Sequence, residues 1–255
     1  MKNLHIDYEW FAQLIPEGIP VPSSTLLSGP GGSGKPLIGL AAVVSWLRRG
    51  GQVVLAPLQF PDRALTETYA QKLYGVDLAD YAGSIFFIAF DPDRRPRVED
   101  IERTGPDSLS ANVASPDVWD RALEIATDAV ERDGGETLIF GSALNLLLFS
   151  RTYGDAMLEH LDAMLRNTTT RTCFFSLSSN VLADRIATLE AAADHLLIAE
   201  MSRPEHDLHL QIKRLKNSPF REEPAIVPFD RDLLAEMKRL ADEARKRNLP
   251  AIKRI

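Results

Sequence analysis

Cysteine is almost absent: Cys173 is the only one in 255 residues, so neither an intrachain disulfide nor a cysteine-rich zinc site can form. It lies in the apolar run TCFFSL, where a thiol serves as a small hydrophobe rather than as a nucleophile. Aromatic residues are scarce at 7%, and Trp10, Trp46 and Trp119 stand among apolar neighbours at helical positions, which reads as packing and not as a base-stacking platform. Basic residues fall short of acidic ones, 29 Lys/Arg against 36 Asp/Glu, for a formal charge of −7. That balance argues against the generally basic surface that clamps nucleic acid phosphates. No run approaches the roughly 18 apolar residues of a membrane span. The start MKNLHIDYEWF carries acidic residues by position 7 and lacks the apolar core of a secretory signal. Internal repeats and low-complexity segments are missing too. A cytoplasmic protein without a membrane span is expected.

What is present is 45% hydrophobic and 25% charged residues, an ordinary globular balance, in a chain long enough to bury a full core in one α/β domain. Hydrophobic periodicity gives strands alternating with helices. STLLSG reads as a short strand entering a glycine loop, and PLIGLAAVVSWLRRG as the helix after it, stopped by Gly50 and Gly51. QVVLAPL is a strand, DRALTETYAQKLYG a helix and SIFFIAF a strand. Residues 91–116, with four prolines and many charges, are expected to be a long surface excursion outside the core. The helix PDVWDRALEIATDAVERDGG, the strand TLIFG, a helix from Tyr153 to Arg166 and the strand RTCFFSL follow. Two late strands, DHLLIAEM and LHLQIKRL, are joined by the turn SRPEHD, and a last helix runs from about Arg231 to Arg247. This order calls for an α/β fold, a mostly parallel sheet with helices on both faces and a C-terminal antiparallel strand pair. The expected division is one domain over residues 1–230 and a basic amphipathic helix and tail over 231–255. From Arg231 onward eight Lys/Arg meet four Asp/Glu, so the tail is net +4 and the remainder −11. A solvated helix face accounts for that charge; a local anionic partner is the alternative.

GPGGSGKP, Gly29 to Pro36, fits G-x-x-x-x-G-K through Gly29, Gly34 and Lys35 but has proline where the motif has Ser or Thr. Glycine and lysine usage alone would give such a match in roughly one chain in fifteen of this length. The context is what raises it, because the loop lies between an expected strand and an expected helix, with Gly31 and Gly32 inside. Successive glycines let N–H groups turn inward, and the helix dipole adds positive potential where phosphates would sit. The other reading is a glycine-rich turn capping an ordinary helix. Gly29, Gly31, Gly32, Ser33, Gly34, Lys35 and Pro36 are the candidate phosphate-binding residues, with ATP or ADP as the candidate ligand. Pro36 removes both the hydroxyl that would hold Mg²⁺ and an N–H that would donate to a phosphate oxygen. A first helical turn tolerates proline, so the helix survives while magnesium is not expected.

Taken together, LIPEGIPVPSSTLLSGPGGSGKP resembles the opening of the RecA-like ATPases of the KaiC family, in which a GGIP-G phrase precedes the phosphate loop. Leu189 to Pro219, LEAAADHLLIAEMSRPEHDLHLQIKRLKNSP, is similar to that family's late segment, where E-x-x-A-D leads into two strands ending in K-x-R-G. The resemblance covers most of residues 10–230 and implies a RecA-like P-loop NTPase fold. It also implies that functional positions have changed. The family's second strand ends in an acidic pair whose glutamate polarises the attacking water, and LAPLQFP has Gln59 and Phe60 there; a glutamine orients water but cannot take its proton. The family's Walker B strand ends in aspartate before serine, and TLIFGSALNLLL has Gly141 before Ser142. The K-x-R that reaches the γ-phosphate of an adjacent subunit appears as Arg214-Leu215-Lys216, a bidentate fork exchanged with a point charge. Strand alternation puts Arg214 and Lys216 on one face with Leu210 and Ile212, so a basic strand end emerging into solvent is the other reading of that pair.

Losing a general base typically costs 10²- to 10⁴-fold, and losing a metal removes several kcal/mol of transition-state stabilisation. The resemblance therefore implies a degenerate relative that binds nucleotide weakly or not at all and hydrolyses it little. It would act as an assembly or regulatory module, as a homo-hexamer, another homo-oligomer or with a related protein. A working ATPase that uses a substitute carboxylate such as Asp91, or a partner subunit, is the enzymatic alternative. A DNA-associated RecA paralogue rests on fold analogy and the basic tail. His206 and His209 read as a surface turn, since a zinc site needs three or four ligands. Ser176, Ser178 and Ser179 stand where related proteins place phosphate-sensing polar groups, and no G-x-S-x-G setting makes them nucleophiles.

Overall fold

The apolar runs of the sequence become the middle of one sheet. The computed structural model describes residues 3–58, 63–130, 136–168, 171–202 and 207–254, without the side chain at position 241; the Gln59, Phe60 and His206 readings lie outside the described residues. In chain order the elements are β1 (Asn3–Leu4), α1 (Glu9–Ala12), β2 (Ile19–Pro20), β3 (Ser24–Ser28), α2 (Lys35–Arg48), β4 (Gln52–Pro57), α3 (Arg63–Tyr74), β5 (Ile85–Phe90), β6 (Glu102–Gly105), β7 (Ser108–Ala111) and α4 (Pro116–Val130). They continue with β8 (Thr137–Ser142), a 3-10 turn (Leu144–Phe149), α5 (Gly154–Arg166), β9 (Thr172–Ser176), α6 (Ala183–Ala192), β10 (His195–Met201), β11 (Leu208–Arg214), β12 (Ala225–Val227) and α7 (Arg231–Ile252). The main sheet runs β12-β11-β10-β3-β9-β8-β4-β5-β7-β6. Neighbours from β10 to β7 are parallel, while β11, β12 and β6 extend the two edges antiparallel.

Strands β3, β4 and β9 are buried at every residue, as a sheet covered on both faces requires. Side chains alternate between two cores. Leu138, Phe140 and Phe174 join α2, α3 and the N-terminal segment on one face; Ile139 and Phe175 join α4, α5 and α6 on the other. Helix α2 is buried from Leu37 through Leu47, which fits a helix that is hydrophobic all round. Trp46 and Trp119 are fully buried and Trp10 packs against the first core, so all three serve packing. Cys173 is 3% exposed and burial pushes its thiol up to about 12.

Three expectations need correction. Residues 91–116 are not all surface excursion: β7 pairs parallel with β5 and β6 folds back on β7, with Leu109, Ala111, Val113 and Ala114 buried. Small residues satisfy that strand's inner face, so it carries too little hydrophobicity to stand out among the prolines. The final helix reaches Ile252, past Arg247 and through Pro250. Finally, β11 stops at Arg214, Leu215 turns inward at 7% exposure, and Lys216 does not continue the strand. Among the described residues no helix is long and apolar enough to cross a membrane.

Candidate phosphate-binding site

The loop between β3 and α2 sits at the carboxyl end of the parallel strands, between β10 and β9. Gly29 has φ 146°, and a Cβ there would lie 2.0 Å from the Ala199 carbonyl oxygen; only glycine lets the loop leave β3 so close to β10. Gly34 has φ 63° and its carbonyl accepts from the Leu37 and Ile38 amides at 2.9 and 3.2 Å, opening α2. Ser33 Oγ donates to the Pro30 carbonyl at 2.8 Å and closes the turn. The segment after β9 is tied alongside, the Leu177 amide donating to the Leu27 carbonyl at 3.1 Å and the Ser179 amide to the Gly29 carbonyl at 2.9 Å. Gly31, Gly32, Ser33, Gly34, Lys35 and Pro36 line one small cavity with Ser176 and Ser178 on its far wall. The structure thus brings the loop candidates and two of the three serines together.

Lys35 is turned into its own loop. Its Nζ donates to the Gly29 carbonyl at 2.9 Å, the Pro30 carbonyl at 2.5 Å and Ser33 Oγ at 3.0 Å. Three donors therefore meet three oxygens, the full capacity of an ammonium. At 5% exposure the charge is nevertheless costly, and burial lowers its pKa to about 7. This is a cation held in reserve by neutral carbonyls, which a phosphate would outbid because hydrogen bonds to a charged acceptor are stronger.

The neighbourhood of Pro36 is apolar. Its pocket, about 30 Å³, is walled by Leu37, Leu40, Leu55, Phe140 and Met237, with Thr66, Tyr69 and Ser142 as its polar members. Ser142 Oγ and Tyr69 Oη are buried without a hydrogen-bond partner among the described residues, and the pocket they both line has room for about one or two waters. Alternation along β8 explains Ser142. A Cβ at Gly141 would meet Leu144 Cδ2 and Phe175 Cδ1 at 3.0 Å each, on the face of α4 to α6. Ser142, not Gly141, therefore turns toward Pro36. Counting by two from the buried Phe140 is the signal in the sequence that could have found it.

Arg214 and Lys216 stand elsewhere. Strand β10 runs parallel to β3 with His195 opposite Thr25, and Arg214 pairs with Leu196, so both cations lie at the end of the sheet opposite the loop. Arg214 donates to the carbonyls at the end of α6, Glu190 and, at 2.7 Å, Ala193. Lys216 Nζ is 3.0 Å from Asp194 Oδ1. Burial raises the Asp194 carboxyl's pKa, but hydrogen bonds from Lys216, Thr168 and the Ser24 amide outweigh it and hold it below the usual value. Asp91 is engaged in its own turn, accepting from the Asp93 amide at 3.0 Å and pairing with Arg94 at 3.3 Å. It follows β5, which is separated from β3 by β4, β8 and β9.

Sequence reasoning did not foresee what covers the loop. Helix α7 lies on it: a Cβ at Gly34 would meet Leu234 Cδ2 at 2.9 Å, and one at Gly32 would meet Lys238 Cγ at 3.2 Å. Met237 and Lys238 line the cavity beside Lys35, which measures about 40 Å³. A second chamber of about 280 Å³ opens beside it, between Gly31, Asn145, Asn180, Lys238 and Arg245. The apolar stripe Leu233, Leu234, Met237 and Leu240 was the available signal, outweighed by the tail's charge.

No protein-family model matches the chain, and no curated protein matches it. Solved structures do. The crystal structure of the KaiC-like protein PH0186 from the hyperthermophilic archaeon Pyrococcus horikoshii OT3 is similar at a TM-score of 0.61 and 15% identity, over 86% of this chain and 95% of that one. At that identity the likeness establishes the fold: this is a KaiC-like, RecA-type α/β architecture.

Proposed function

We propose that the chain is a nucleotide-responsive assembly module that holds ATP or ADP weakly on its phosphate loop and hydrolyses it little. The observation that carries this reading is the split between the two halves of the site. Lys35 and the glycine loop keep a phosphate cradle, while the side of the cradle where a metal shell and water would act is apolar around Pro36.

A magnesium ion does not fit the residues described there. Pro36 has neither a side-chain oxygen nor an N–H to offer, the pocket has no carboxylate among its described lining residues, and Ser142, Thr66 and Tyr69 contribute only neutral hydroxyls. Phosphates would be met by the amides of Gly31 to Gly34, by the α2 dipole and by Lys35 once it leaves its carbonyls. Without a divalent ion such binding is weak and salt-sensitive. Gln59 at the base position suggested by the family resemblance supports slow turnover, because general-base loss typically costs 10²- to 10⁴-fold. A homo-hexamer or other homo-oligomer is part of the proposal, in which Arg214 and Lys216 would face a neighbouring copy's loop; that role requires them to give up α6 and Asp194. The engagement of Asp91 with Arg94 disfavours the substitute-carboxylate ATPase.

Calorimetric titration of ATP and ADP, with and without Mg²⁺, on the parent and on Lys35→Ala tests the reading. Lysine-dependent, magnesium-indifferent binding is expected. Equal binding by Lys35→Ala would remove the loop as the site, and steady Lys35-dependent phosphate release would replace the module with an ATPase.

A further inference from the structure

Helix α7 is 22 residues long, about 33 Å at 1.5 Å per residue, and it crosses from one face of the sheet to the other. Leu234 and Met237 are buried in the core on the α2 side. Ile252 belongs to the opposite core, and Lys253 Nζ lies 5.7 Å over the Phe149 ring. Its start is fixed by Asp230, whose Oδ1 accepts from the Asp232 and Leu233 amides at 2.9 and 3.2 Å, and by Arg231, 3.3 Å from Asp207. Between these anchors it passes over the carboxyl ends of β3, β9 and β8, directly on the loop.

The space left there decides what can enter. The cavity beside Lys35 is about 40 Å³, room for a water or two, and the chamber of about 280 Å³ that opens beside it past Gly31 does not have Lys35 in its lining, whereas nucleotide-sized ligands occupy pockets of roughly 300–1,000 Å³. Leu234 against Gly34, and Met237 between Lys35 and Pro36, stand where the phosphate chain would lie on the amides. Lys238 crosses Gly32 and, among the described residues, makes no ion pair or side-chain hydrogen bond, so nothing polar locks the helix down over the loop itself. The contact is apolar and in cis.

We infer that α7 is a cover built into the chain: a nucleoside phosphate reaches Lys35 only when the helix lifts from the loop, so that ligand binding and release of α7 form one coupled equilibrium. This rests on the nucleotide reading above and adds its regulation. Apparent affinity then equals the intrinsic affinity reduced by the fraction of molecules that are open. Lifting α7 also bares the stripe of Leu233, Leu234, Met237 and Leu240, so the nucleotide state is transmitted as an exposed apolar helix.

The test uses the full-length chain. Leu234→Ala and Met237→Ala each remove a buried anchor of the cover without touching the cradle, and ATP and ADP binding is measured by calorimetry alongside hydrogen exchange of the α7 amides. Faster exchange in residues 231–252 and at least tenfold tighter, Lys35-dependent binding are expected. In the parent, saturating ADP should itself accelerate α7 exchange while the strands stay protected, a measurement that needs no variant to fold. Unchanged Lys35-dependent affinity in variants whose α7 exchanges faster would overturn the cover and leave the nucleotide reading standing. ADP-induced protection of α7 would also overturn the cover. Loosened variants that bind neither nucleotide would overturn both.

Discussion

Lys35→Met isolates the buried ammonium. In the folded chain burial lowers the Lys35 pKa to about 7 from its ordinary 10.5. Below pH ~6 both folded and unfolded chains hold the proton, and the folded state carries the whole cost of the buried charge. As pH rises through about 7 the folded chain releases the proton while the unfolded chain keeps it until near 10.5, so the folded state binds fewer protons and its stability rises. One group contributes at most about 1.4 kcal/mol per pH unit, which gives about 2–3 kcal/mol between pH 7 and 9. Lys35→Met cannot titrate. It also removes one of the two hydrogen bonds that the Gly29 and Pro30 carbonyls each accept, leaving them the Ser179 amide and Ser33 Oγ, at about 1 kcal/mol each, but that loss is the same at every pH. Urea unfolding of parent and variant from pH 6 to 9 should therefore show the parent gaining on the variant, other titrating groups cancelling in the difference. A difference that stays flat over that range would refute the buried, carbonyl-held ammonium.

Other positions give separate outcomes. Gly29→Ala forces a Cβ onto the Ala199 carbonyl at φ 146° and should cost about 3 kcal/mol or more in urea unfolding; an unchanged midpoint would remove the close approach of loop and β10. Gly141→Asp places a carboxylate against Leu144 and Phe175, so it should lower thermal stability by about 2 kcal/mol or more without creating magnesium-dependent phosphate release. Gain of such release would mean that residue 141 reaches the loop. Arg214→Ala removes two hydrogen bonds to the end of α6 and should destabilise by about 1–3 kcal/mol. Unaltered stability with weakened nucleotide binding in an oligomer would return Arg214 to a role between subunits.

The parallel sheet was legible because its strands are covered on both faces and so appear as unbroken apolar runs; STLLS, QVVLAP, IFFIAF and TCFFS each matched a strand. The loop was legible because Gly29 and Gly34 answer to backbone geometry, which leaves a mark in residue type. Strand β7 was not, since SLSA fills its inner face with little more than Leu109 and Ala111. Ser142 was missed because motif alignment pointed to Gly141, while the pleat assigns faces by parity. Helix α7 was the largest gap. Its periodicity was visible, but an amphipathic pattern states only that one face is covered, and what covers it is a property of the fold.

Pro36 and α7 make physical sense as a pair. A metal site at residue 36 needs oxygen ligands and water on the side of α2 that faces β8, and charged or hydrated groups there would be desolvated by any apolar helix laid across them, at several kcal/mol. With proline at that position, Leu37, Leu40, Leu55 and Phe140 present an apolar wall, and Met237 of α7 is buried against it at 6% exposure. The flexible thioether suits an irregular wall of this kind. Once the metal ligand is gone, covering the site costs little, and once the site is covered, restoring a hydroxyl at residue 36 alone would bury one more polar group beside Ser142 Oγ and Tyr69 Oη. The glycines are under no such pressure, because Gly29 must pass Ala199, and Gly34 must both open α2 and let Leu234 approach. The loop can thus keep its phosphate-binding shape for reasons of packing even while the chemistry beside it has been closed off.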